Sequence, residues 1–434
     1  MEILLVAGYT ALFIFLINRL KFFRLANIPA SWVKILFVLK VVAGCLLGIV
    51  YTYYYTDRTT ADTFKFFDDS KILFQALFNS PKEFFGIFFD FHSDTKECFD
   101  ICSQMTAWNN QDVLFNDNKT LVRLNVLFQF FSLGNYYVHV VFLNFFSFTG
   151  LIALFKLFQQ FSNHKSRILF LLMMFLPSVI FWGSGLLKDG LLLFALGLLL
   201  YTFNNLVVNK YSAYSAIAFI MCLLLLMFTK LYVLFIIIPG LAAWFWARKD
   251  QGKKVVAKFI TCYVIYLLIG FNIDKVSEKY DVVDIIYYKQ QNFSILAGTS
   301  QAKSKIEIPP IDATAWSLLA NAPSAVLRVL VRPAVWESGS FFILMSAVEN
   351  IFLIALAIFC LLFPDKKKNK SLQLFCFSIF FVTCMYALIG LITPILGAMV
   401  RYKVPSLLFF IYIFISMLDT DKLKSKFPAI QKLL

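Results

Sequence analysis

Acidic residues cluster directly after the second long apolar segment of the chain. The stretch TDRTTADTFKFFDDSK carries Asp62, Asp68 and Asp69. Asp62 and Asp69 are seven residues apart and would share a helix face, and Lys65 stands four residues before Asp69. A carboxylate here could act as a general base on a hydroxyl group or hold a divalent cation. We therefore take Asp62, Asp68 and Asp69 as candidate catalytic residues and the neighbouring pair as a candidate metal site. The structural alternative is a solvated helix face.

A second group of polar residues interrupts the apolar stretch FWGSGLLKDGLLLF. The two glycines around Ser184 predict a turn, and a helix that begins there would hold Lys188 and Asp189 in its first turns. The amino-terminal end of a helix carries free N–H groups and a partial positive charge. Together with Lys188 it would form a corner suited to a phosphate. The alternative is a lysine–aspartate pair that only neutralises itself.

Further basic residues stand at the predicted outer ends of apolar segments. They are Lys230 in MFTKLYVLF, Arg332 with Glu337 in VRPAVWESG, and Arg401 with Lys403 in AMVRYKVP. Cations at outer ends run against the usual excess of Lys and Arg on the cytoplasmic side. This placement predicts an anionic ligand at the outer membrane surface, and a polyprenyl phosphate or diphosphate fits, with its chain in the lipid and its charge at the rim. The alternatives are an interfacial belt for the arginines and a simple stop between helices for Lys230.

The elements that must position these residues are membrane-spanning helices. The 434-residue chain is 60% hydrophobic and 15% charged, whereas soluble proteins average about 25% charged residues. The net charge of +15 fits basic cytoplasmic loops, and it does not predict nucleic-acid binding because no basic stripe with exposed aromatics lies elsewhere. We predict an all-α integral membrane protein with about eleven spans. They lie near residues 2–18, 35–55, 136–158, 168–182, 188–203, 212–229, 231–246, 255–272, 340–363, 371–391 and 404–418.

The loops between these spans predict the orientation of the chain. The six loops on one side carry nineteen Lys and Arg against four Asp and Glu, so that side should be cytoplasmic, with the N-terminus outside and the C-terminus inside. We treat residues 1–434 as a single polytopic membrane domain with two outer loops, 56–122 and 273–339, that carry short amphipathic helices. One helix should start at Pro81, with Ser80 and Glu83 forming a capping box.

Together, ADTFKFFDDS, PSVIFWGSGLLKD, RPAVWE and RYKVP resemble short motifs of bacterial membrane proteins that assemble cell-surface polysaccharides. The layout is most similar to lipid-linked-sugar glycosyltransferases of the GT-C type. That resemblance implies a multi-pass transferase of the bacterial cytoplasmic membrane, with a lipid-linked sugar donor and a glycan or lipid acceptor as its partners. It implies a base at Asp62, with Asp68 and Asp69 behind it, and phosphate contacts from Lys188, Arg332 and Arg401.

The chain departs from that pattern in where its acidic motif falls. The motif follows the second predicted span instead of the first, and no acidic pair of the mannosyltransferase kind is present. O-antigen repeat-unit polymerases share the layout and are a close alternative. A transporter of lipid-linked oligosaccharides and a non-catalytic membrane partner are further alternatives.

Overall fold

The computed structural model shows that apolar helices build this protein. It describes residues 2–54, 58, 61–91, 95–108, 117–162, 165–208, 212–250, 252–276, 280–299, 304–365 and 372–426. Within these ranges the chain forms helices and only isolated β-bridges. Eight helices are long and apolar enough to cross a membrane. The prediction of a multi-pass helical membrane protein is thereby confirmed.

Nineteen α-helices are found in the described ranges. Their bounds are α1 Glu2–Arg19, α2 Ala30–Tyr53, α3 Asp62–Asn79, α4 Pro81–Phe89, α5 Lys96–Ser103, α6 Asp117–Ser132, α7 Tyr136–Phe161, α8 Ser166–Met174, α9 Pro177–Trp182, α10 Lys188–Val207, α11 Ala213–Thr229, α12 Leu231–Lys249, α13 Val255–Gly270, α14 Val282–Thr299, α15 Ala315–Val331, α16 Phe341–Leu362, α17 Leu372–Ile392, α18 Leu396–Met417 and α19 Thr420–Lys426.

Membrane-crossing length is reached by α1, α2, α7, α10, α12, α16, α17 and α18. Three other apolar helices, α11, α13 and α15, are shorter. The predicted span at 168–182 is instead broken into α8 and α9, because Pro177 lacks an N–H and disfavours a helical residue before it. The predicted span at 404–418 begins earlier, at Leu396, so Arg401 and Lys403 lie inside the helix and not at its start.

The described chain divides into two compact units. The first comprises residues 1–157 and 179–231, and the second comprises residues 158–178 and 232–434. In the first unit, α3 and α6 pack against each other over a buried core that includes Phe66, Leu73 and Val126. In the second unit, α17 packs against α15 and α18.

Glycines set the closest helix contacts in the first unit. A Cβ added at Gly197 of α10 would overlap the backbone of Gly150 on α7, and one added at Gly150 would overlap the backbone of Leu193. Small residues let membrane helices approach closely, so that dispersion contacts replace the missing hydrophobic driving force. The glycine pair therefore fixes the close contact between α7 and α10.

The start of α4 departs from the prediction in its capping. The helix does begin at Pro81, but the Ser80 side chain makes no cap bond and instead donates to the carboxylate of Glu97. Glu83 accepts a hydrogen bond from the Thr95 hydroxyl at 2.9 Å. The predicted capping box is thus absent, because both side chains bind the segment around α5 instead.

Candidate functional site

Asp69 on α3 is buried and binds backbone. Its carboxylate accepts hydrogen bonds from the N–H groups of Thr106, Ala107 and Trp108, at 2.9, 2.7 and 2.8 Å, and within the described residues it makes no ion pair with Lys65. Burial raises the pKa of Asp69, against the opposing effect of these hydrogen bonds. Through these three hydrogen bonds, Asp69 holds the segment 106–108 against α3.

Replacing Asp69 with alanine is expected to release this segment. Three N–H groups would lose their acceptor, and the two buried ones, of Ala107 and Trp108, would each cost about 1–3 kcal/mol if left unsatisfied. Hydrogen exchange at residues 106–108 of the full-length protein should accelerate by about 100-fold or more. Asp68→Ala is the matched control, because its neighbouring carboxylate contacts a different partner. Unchanged exchange at 106–108 in the Asp69 variant would contradict the assignment.

The other two candidate acids of α3 are more accessible. Asp68 forms a two-point ion pair with Arg58, at 2.7 and 2.8 Å, and Arg58 also lies over the Phe64 ring. Asp62 is exposed and is the first residue of α3. Because all four oxygens of Asp68 and Asp69 accept from protein donors, a divalent cation at this pair would have to displace them.

Lys188 joins three elements of the first unit. Its ammonium lies 2.7 Å from the Asp117 carboxylate on α6 and 5.4 Å from the centre of the Phe66 ring on α3. Asp62 lies one helical turn before Phe66 on the same helix. The cation of Lys188 is therefore neutralised by Asp117, a residue that the sequence reasoning missed, while Asp189 is buried in the first turn of α10.

Lys230 is the single residue between α11 and α12. One turn after Asp117, the hydroxyl of Thr120 donates to the Phe228 carbonyl at 2.9 Å, at the end of α11. Helix α6 thus supplies Asp117, the partner of Lys188, and also contacts the end of α11 that precedes Lys230. In the first unit, α6 therefore binds Lys188 and the end of α11, two residues before Lys230.

The turn at 183–187 is held by a buried lysine that the sequence reasoning did not identify. The Lys40 ammonium on α2 is fully buried and donates to the Gly183 carbonyl at 2.8 Å and to the Ser184 hydroxyl at 3.0 Å. From α7, Ser147 donates to the same Gly183 carbonyl and Asn144 donates to the Ser184 carbonyl. The predicted turn is therefore a polar junction inside the helix bundle. The sequence does contain a signal for this junction, which is a lysine in the middle of the apolar α2.

Arg332 of the second unit ends α15 and carries an unsatisfied donor. Its Nε atom lies 2.9 Å from the Glu337 carboxylate, whose other oxygen accepts from the Ala334 N–H. Its Nη1 atom is buried and, among the described residues, has no hydrogen-bond partner. A buried unsatisfied donor costs free energy. Glu337 therefore orients the guanidinium, and one planar donor remains available for an acceptor.

Lys403 lies deep in the second unit, beside the carboxyl end of α15. Its ammonium donates to the Arg332 carbonyl at 3.1 Å and to the Asn350 side-chain oxygen at 3.0 Å, and Asn350 donates to the Val331 carbonyl. Asn350 is about 14 Å along α16 from its first residue. A helix end at this depth needs donors for its last carbonyls, and the cation also suits its negative end.

Arg401 lies on a different side of α18 from Lys403, because two helical residues are about 200° apart. It is half-buried. The second unit thus brings Arg332, Glu337 and Lys403 together and places Arg401 apart from them on the same helix. Within the described part of the chain, no group of three His, Cys, Asp or Glu side chains could hold a metal ion.

The candidate residues divide between the two units. Asp62, Asp68, Asp69, Ser184, Lys188, Asp189 and Lys230 belong to the first, and Arg332, Glu337, Arg401 and Lys403 belong to the second. Comparison with family models, curated proteins and solved structures finds no match to this chain.

Proposed function

We propose that this protein is a membrane glycosyltransferase that takes its sugar from a polyprenyl phosphate or diphosphate, at the outer face of the bacterial cytoplasmic membrane. The observation that carries the proposal is the Arg332 guanidinium. It is oriented by Glu337 and keeps a buried donor that has no partner among the described residues, and the backbone carbonyl of the same residue accepts a hydrogen bond from the buried ammonium of Lys403. Arginine binds phosphate oxygens in a planar two-point geometry, so this donor set suits a lipid phosphate.

The proposed chemistry is a displacement at the anomeric carbon of the sugar. The acceptor hydroxyl oxygen forms the new bond, the bond to the phosphate oxygen breaks, and the lipid (di)phosphate leaves with the electron pair. Arg332 stabilises the charge that develops on the leaving group. The hydroxyl proton goes to a carboxylate base, and Asp62, exposed at the start of α3, remains the residue that the sequence predicts for that role and that the substitution below tests.

Replacing Asp62 with asparagine is expected to reduce sugar transfer by about 10²- to 10⁴-fold, because removal of a general base commonly has that effect. The measurement is transfer of labelled sugar from synthetic polyprenyl-phosphate and polyprenyl-diphosphate donors by the full-length protein in liposomes. Asp68→Asn is the matched control, since its carboxylate already pairs with Arg58. Equal loss in both variants would argue against a specific role for Asp62.

The same liposomes discriminate the transporter alternative. If the donor crosses the bilayer in the presence of the protein without any transfer of sugar, the transferase proposal is wrong. A polymerase would show repeated addition of the transferred unit to the acceptor, whereas a single-addition transferase would give one product.

A further inference from the structure

An open groove lies within the second unit, between α16 and the segment 171–177. Its volume is about 510 Å³. Apolar side chains form its walls, and Glu349 is the one charged residue that lines it within the described chain. The other lining residues are Leu171, Leu172, Phe175, Leu176, Pro177, Phe341, Leu344, Met345, Val348 and Phe352.

The lining residues of α16 form one stripe along the helix. They recur at alternating intervals of three and one from Phe341 to Phe352, which is the spacing of a single helix face. The stripe is about 16 Å long. Met345 and Val348 keep 45% and 57% of their surface exposed although α16 is a membrane-crossing helix. The groove is therefore open along its side, where the surrounding medium is hydrocarbon.

The part of the groove around Glu349 lies next to two cationic residues, Lys403 and Arg332. The Glu349 carboxylate accepts from the Ser178 N–H at 2.7 Å, and the next residue, Asn350, binds both Lys403 and the end of α15. Arg332, with its unpartnered Nη1, ends that same helix. An apolar channel one helix face wide thus runs next to the buried Lys403 and the partly exposed Arg332. These two cations are complementary in charge to a single chain with an anionic head.

We propose that this groove binds the polyprenyl chain of the lipid-linked donor and leads its phosphate to Arg332. This inference rests on the proposed function for the identity of the donor. A single groove accommodates one chain, whereas a phospholipid carries two, and for this reason we assign the groove to the isoprenoid. Glu349, which accepts from the Ser178 N–H, marks the part of the groove nearest these cations.

Photo-crosslinking tests the location of the chain. The full-length protein in nanodiscs is mixed with a long-chain polyprenyl phosphate that carries a diazirine in its chain, and labelled residues are mapped by mass spectrometry. Labelling should fall on residues 341–352 and 171–177. Met345→Trp, which fills the groove, should reduce it about tenfold, as expected when about two buried methylene groups lose their contacts. Ile358→Trp is the matched control, because Ile358 is exposed on the same helix and does not line the groove.

Two results would overturn the inference. One is labelling that falls elsewhere or is unaffected by Met345→Trp, and the other is equal labelling of the groove by a diazirine-bearing phosphatidylglycerol. A transfer assay then separates this inference from the proposed function. Met345→Trp should raise KM about tenfold for a long-chain donor and leave KM unchanged for a donor with two isoprene units. Absence of transfer by the unaltered protein, together with specific labelling of the groove, would reject the transferase but retain the chain site.

Discussion

Replacing Arg332 with lysine is expected to lower sugar transfer by about 100-fold. The change keeps the positive charge but removes the planar fork of donors, including the buried Nη1 that has no partner within the described residues. Loss of one oriented donor to a developing negative charge commonly costs 10²- to 10³-fold in kcat. Lysine is a poor substitute wherever two-point binding matters. The measurement is kcat with a long-chain donor in liposomes.

Lys289→Met controls for a change to a cationic side chain elsewhere in the same unit, because Lys289 is exposed on α14. It should transfer sugar at the rate of the unaltered protein. The thermal midpoint of each variant shows whether the fold survives the substitution. A well-folded Arg332→Lys protein with unchanged kcat would remove the observation on which the proposed function depends.

Replacing Gly197 with valine is expected to destabilise the first unit strongly. Even one added carbon at Gly197 would overlap the Gly150 carbonyl oxygen, and the obstacle is backbone that cannot rotate away. Overpacking a tight contact typically costs 1–3 kcal/mol, and a helix pair that must separate along its length reaches at least the upper end of that range. We expect a fall in the thermal midpoint of about 10 °C and a loss of monodisperse protein in detergent.

Gly8→Val is the matched control for this substitution. Gly8 also lies within an apolar helix, but a Cβ added there meets nothing within 4 Å. Its thermal midpoint should stay within a few degrees of the unaltered protein. If both glycine variants behave alike, the close approach of α7 and α10 is not a determinant of stability.

The helical membrane class could be predicted because apolar length is a local property of the sequence. The helix α7 illustrates this, since its 26 residues from Tyr136 to Phe161 are almost uniformly apolar. Helix boundaries were harder to predict wherever a charged residue lies inside a helix. Hydropathy placed the start of the last span after Lys403, whereas α18 begins at Leu396 because the lysine finds acceptors on neighbouring elements. Those acceptors come from distant sequence and leave no local signal.

The same limit applies to the candidate site. The types and positions of Lys188 and Arg332 predicted anion-binding groups, but spacing along the chain could not reveal that Asp117 neutralises the first. The sequence shows that Arg332 and Glu337 are five residues apart, but it does not show that they form an ion pair. Asp69 looked equivalent to its neighbours in the acidic motif, and only the fold shows that its oxygens face the N–H groups of residues 106–108.

The buried Lys40 has a consequence for how the protein is made. An isolated lysine at the centre of a membrane helix opposes insertion by about 2.5–3.5 kcal/mol. The carbonyl that it binds, at Gly183, is encoded 143 residues later, and synthesis at about 5–20 residues per second delivers it roughly 7–30 s afterwards. During that interval α2 must enter the bilayer on the strength of its apolar residues alone or wait beside the insertion machinery. The turn at 183–187 then completes the membrane integration of a helix made long before it.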